Sequence, residues 1–139
     1  DHQWGNFTSF GLFWDWFSLR LNDGSALMLF QSRDISNNAI RSNWTYISIT
    51  GSVEYGEESF VQAVRIYDDV NGNCSYPVDW IVEVPDISAK FTVKPLFDGQ
   101  CLYDIMTPNY WEGLCSVEGT IDGETVAGSA YVELTGYDN

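Results

Sequence analysis

Alternation of apolar and polar residues with a period of two, punctuated by turn dipeptides, runs through most of this chain. No long segment carries the 3.6-residue period of a helix. Successive side chains of a strand point to opposite faces, so the pattern asks for strands with one buried and one solvated face. Residues 14–21 place Trp14, Trp16, Ser18 and Arg20 on one face and Asp15, Phe17, Leu19 and Leu21 on the other. The turn Asn22-Asp23-Gly24-Ser25 leads into 26–31, and Asp-Gly suits the positive φ angles of tight hairpins. Further strands are expected at 44–50, 60–67, 78–84, 90–94 and 101–106, and a last hairpin joins 113–121 to 125–135 across Asp122-Gly123. Residues 68–73, Pro85-Asp86 and Phe97-Asp98-Gly99 are turn material, and the acidic stretch Glu54-Tyr55-Gly56-Glu57-Glu58 reads as a solvated loop. About eight to ten such strands need a fold that hides their edges. The expectation is an all-β, closed antiparallel barrel, a single domain over residues 1–139.

Charge narrows the partners. Twenty acidic residues against six basic ones give a net charge of -14, and Arg20, Arg33, Arg41, Arg65, Lys90 and Lys94 are scattered. Phosphate backbones and anionic membranes are repelled, so no nucleic acid and no membrane partner is expected. No apolar run is long enough for a transmembrane helix. One histidine, no Cys-x-x-Cys and no calcium-type carboxylate loop leave no metal or cofactor to expect.

Three Asn-x-Ser/Thr acceptors, at Asn6, Asn43 and Asn73, point to a secreted, extracellular glycoprotein, with any signal peptide already removed. Cys74, Cys101 and Cys115 fit that compartment and permit one disulfide. Connectivity does not follow from sequence; the pairing expected is Cys101 with Cys115, which flank a turn around Pro108, leaving Cys74 over.

No Gly-x-Ser-x-Gly elbow is present, and carboxylates among aromatics carry what chemistry the sequence offers. If the face of Asp15 is inward, desolvation raises its pKa toward that of a proton donor working near neutral pH. The alternative is an outward Asp15 that satisfies backbone groups at the barrel mouth. His2 is either an exposed terminal histidine or a polar partner in a cavity. Glu112, beside Tyr110 and Trp111, is a second acid among aromatics, or a partner of a turn.

Several strings in order resemble the C-terminal domain of the hydroxyneurosporene synthase (carotenoid 1,2-hydratase) superfamily. They are Asp1-His2-Gln3-Trp4-Gly5, the run from Trp14 to Gly24, Leu27-Met28-Leu29-Phe30, Tyr76-Pro77-Val78-Asp79-Trp80, Tyr110-Trp111-Glu112-Gly113 and the stretch from Gly128 to Tyr137. The resemblance implies a lipocalin-like barrel, usually the second of two, and hydration or cyclisation of isoprenoid alkenes in an apolar cavity. It also implies roles for His2 and Trp4, and for a Tyr-x-Asp pair that falls on Phe13 and Asp15, so that Phe13 stands where the family carries a hydroxyl. The resulting expectation is a barrel binding a small apolar, terpenoid- or polyene-like ligand. In an acid-catalysed hydration or isomerisation Asp15 would be the proton donor, His2 the water-positioning or base residue, and Trp4, Phe13, Trp14, Trp16, Tyr110 and Trp111 the cavity wall. The missing half would come from a second barrel on another chain or from self-association. The alternative is a non-catalytic ligand carrier or a structural, self-assembling extracellular glycoprotein.

Overall fold

The computed structural model describes residues 13–70, 74–102 and 109–137. Their strands are β1 (Phe13–Leu21), β2 (Ala26–Arg33), β3 (Ala39–Ile47), β4 (Val53–Gly56), β5 (Phe60–Asp68), β6 (Ser75–Val84), β7 (Ala89–Pro95), β8 (Cys101–Leu102), β9 (Tyr110–Ile121) and β10 (Glu124–Thr135). One 3-10 turn, Pro85–Ile87, links β6 to β7. All ladders are antiparallel, and the sheet runs β4-β3-β2-β1-β10-β9-β7-β6-β5, with β8 on β9. It curls into a half-barrel of the lipocalin-like kind.

The period-two reading of the first strand holds. Phe17, Leu19 and Leu21 point inward with Asp15, and Leu27, Leu29, Gln31 and Arg33 continue that face across β2. One row of register partners, Gly56, Trp44, Leu29, Phe17, Val132 and Gly113, crosses six strands. The next row carries Ser42, Gln31, Asp15, Leu134 and Trp111. Phe17 meets Trp80 of β6 edge-on at 5.4 Å and so ties the two arms of the sheet together. Burying an aromatic of this size stabilises the fold by about 1.5–3 kcal/mol.

The expected closure is not completed by main-chain bonds. β4 and β5 end the sheet, are joined through residues 57–59, and share no ladder among the described residues. β4 was expected as loop; its residues are exposed on both faces, so no alternation announces it. The expected strand at 101–106 is described only over Cys101–Leu102.

The disulfide also differs from expectation. Cys74 bonds to Cys101, their Cα atoms 6.5 Å apart, while Cys115 is a buried free thiol. The reason lies in register. Cys101 sits opposite Trp111, and Cys115 is four residues further along β9, roughly 13 Å away, beyond disulfide reach.

Candidate functional site

Asp15 is fully buried, yet its carboxylate is surrounded by donors. The Arg33 Nε donates to Oδ2 at 2.9 Å and the Gln31 amide to the same oxygen at 3.2 Å. The Tyr137 hydroxyl donates to Oδ1 at 3.0 Å. Burial pushes the Asp15 carboxyl above its ordinary range, against the opposing pull of Arg33, Tyr137 and Gln31. Tyr137 itself is pushed up by burial and by the Asp15 charge.

Local structure holds each partner in place. Arg33 faces inward by the period of two that β2 keeps to its last residue, while the pairing with β3 shifts beside it at Ser32/Arg33. There Nη2 donates to the carbonyls of Thr135 and Trp14, and Nη1 donates to the Asn37 side chain. Asn37 is presented by a tight loop in which the Asp34 carboxylate accepts the N–H groups of Ser36 and Asn38. These bonds, Asn38 foremost, hold Asp34 below the usual carboxylate range. The guanidinium carbon of Arg33 lies 3.9 Å from the centre of the Tyr137 ring, a cation–π contact. Tyr137 follows Gly136, whose φ of +75° is left-handed and whose missing Cβ leaves room for the Phe13 ring. The Tyr137 ring packs edge-on against Tyr76 and Trp80 at 5.7 and 6.4 Å. An ion pair therefore sits inside the barrel, walled by aromatic rings.

The residues expected to form one cavity wall are divided between the two faces of the sheet. Trp111 is inside, fully buried, its indole donating to the Asp98 carbonyl at 2.8 Å. Trp14 and Trp16 point away from Asp15, as the period of two requires for neighbours on one strand. On that outer face Trp14 donates to the Glu133 carboxylate and meets Tyr110 edge-on at 5.9 Å. Trp16 lies between Phe30 and Glu133 in register. Glu133 stands opposite Glu112, and burial, with the Glu112 charge adding, pushes its carboxyl up. Glu112 is bonded not to a turn but to the Tyr131 hydroxyl, at 3.2 Å. Phe13 rests against Gly136, so the hydroxyl of the network comes from Tyr137. Asn43 is half-buried in β3, on the face alternate to the buried Trp44 and Tyr46. His2, Trp4, Asn6 and Asn73 lie outside the described residues.

Sequence reasoning missed Arg33, Gln31 and Tyr137. The signal existed, because the inward series 27, 29, 31, 33 continues past the expected end of β2, and Tyr137 closes the last string of the resemblance.

The comparisons agree with this fold. A family model described as AttH-like matches residues 1–137. A crystal structure described as an AttH from Nitrosomonas europaea superposes with a TM-score of 0.75 and 32% identity, covering 90% of this chain and 39% of that one. Kievitone hydratase from Nectria haematococca superposes with a TM-score of 0.78 at 20% identity, covering 96% of this chain and 42% of that one. The chain thus spans about two-fifths of each of these relatives. No curated protein sequence gives a significant match. By the family model, which spans nearly all of it, this chain belongs to the AttH-like family.

Proposed function

We propose that the chain is a barrel of a hydratase-type protein that binds a small apolar, terpenoid- or polyene-like molecule, with Asp15 as the acid of an alkene hydration. The observation that carries this reading is the inward Asp15 carboxyl, buried among aromatic rings where burial favours its protonated form. Protonation of an alkene leaves a carbocation that aromatic faces stabilise, and water then completes the addition. The likeness to kievitone hydratase lends support at the level of fold. The Cys74–Cys101 disulfide fits an oxidising, extracellular setting, in which Asn6, Asn43 and Asn73 would carry glycans. Because the chain spans two-fifths of its relatives, a second barrel, on another chain or as a second copy, belongs to the same proposal.

One observation favours a non-catalytic ligand carrier instead. Arg33, 2% exposed, gives Asp15 a permanent counter-ion, which suits a structural carboxylate. The two readings part on a pair of variants. Incubation with isoprenoid alkenes in oxygen-labelled water should give labelled alcohols from the native protein. Asp15→Asn paired with Arg33→Met should keep the fold and lose the product. Label incorporation by that double variant, or none by the native protein, contradicts the hydratase reading.

A further inference from the structure

Three polar side-chain atoms buried in this half-barrel have no hydrogen-bond partner among the described residues: Nε1 of Trp44, Nε1 of Trp80 and the hydroxyl of Ser59. Both tryptophans are only 2% exposed. Buried polar atoms are nearly always paired, because one left unpaired loses its hydration and receives nothing in return. Two orphaned indoles in one small core mark places where an acceptor comes from outside the described side chains.

Their positions flank the open seam. Trp44 stands on β3, its ring lying over Gly56 of β4, where an added Cβ would come within 2.7 Å of the indole. Trp80 stands on β6, opposite Ala63 of β5. Ser59 lies in the connection between β4 and β5. Each strand bounding the seam therefore has on its neighbour a buried indole with no partner among the described residues, and Ser59 belongs to the connection that joins the two strands. Trp80 also touches Phe17 and Tyr137, and Tyr137 bonds to Asp15, so the orphan donors share the interior with the acid network. At the rim Tyr55 and Phe60 are 81% and 58% exposed, an apolar approach to the seam.

An indole N–H donates and cannot accept, so a hydrocarbon offers it nothing. We infer that the molecule bound inside this barrel is an oxygenated one: an apolar body carrying carbonyl, ether or hydroxyl oxygens that accept from Trp44 and Trp80 beside the seam. This rests on the ligand-binding reading above and sharpens it, because a bare polyene leaves both donors unpaired.

Farnesol and farnesene share one carbon skeleton and differ by a hydroxyl, which makes them the probes. Titrated into the nitrogen-labelled native chain, farnesol should bind about tenfold more tightly than farnesene, the worth of one hydrogen bond to a buried donor. At least one of the Trp44 and Trp80 indole resonances should move downfield with farnesol and stay in place with farnesene. Trp44→Phe or Trp80→Phe, whichever indole moved, should abolish the preference. Equal affinities with unmoved indoles overturn the inference and leave apolar-ligand binding standing. Indole protons that stay in contact with buried water when farnesol is bound also overturn it. Failure of both probes to bind overturns this inference together with the reading beneath it.

Discussion

The Asp15–Arg33 pair costs less as a pair than as a remnant. Both side chains are withdrawn from water, and their attraction offsets a desolvation penalty that a lone buried charge would pay in full. Arg33→Met alone should therefore destabilise the chain by about 3–5 kcal/mol, while the double variant with Asp15→Asn should recover most of that loss. Urea unfolding of the three variants checks this, and additive losses would show that the pair does not act as a unit. Gly136 is the hinge that sets Tyr137 on Asp15. Gly136→Ala meets both a left-handed φ and the Phe13 ring 2.1 Å from its new Cβ, so thermal unfolding should reveal a loss of about 1–3 kcal/mol. Cys115 supplies a pH signature. Burial pushes its thiol up to about 12, so the folded state keeps a proton that the unfolded state releases near its ordinary value of 9.0. The stability this lends is complete below about 9 and is lost as pH rises toward about 12. Stability measured across that window should fall more steeply for the native chain than for Cys115→Ala.

Among the strands, those with one buried face were legible, as was the largely exposed β5, while the short, exposed β4 was not. The hairpin of β1 and β2 shows its alternation and its Asp-Gly turn openly, and even the inward placement of Asp15 follows from Phe17 and Leu19. β4 is exposed except at the half-buried Gly56 and presents its sequence as an acidic loop would. The partner of Asp15 was hidden for another reason. Arg33 continues the inward alternation two residues past the expected end of β2, and Tyr137 comes from the far end of the chain, where no local pattern ties it to Asp15. Cysteine pairing likewise depends on register between β8 and β9. The bond it forms closes a 27-residue separation, so replacing Cys74 and Cys101 by Ala should cost about 3–4 kcal/mol in denaturant unfolding. An unchanged midpoint would mean that the segment between them is held by other contacts.

At the scale of the whole molecule two features oppose each other. The sheet ends β4 and β5 leave Val53, Tyr55, Phe60, Val64 and Ile66 exposed, an apolar margin that favours association. A net charge of -14 resists it. Association of the chain with itself should therefore strengthen as salt screens the charge, and Phe60→Glu with Ile66→Glu should weaken it in sedimentation at high ionic strength. The proposed ligand would lie inside this half-barrel, near the Asp15 network and the seam tryptophans. Native mass spectrometry of the chain equilibrated with farnesol tests this most directly. A one-to-one complex, weakened by Trp44→Phe or Trp80→Phe according to which indole donates, is the expected result; a spectrum of free chain alone would rule ligand binding out.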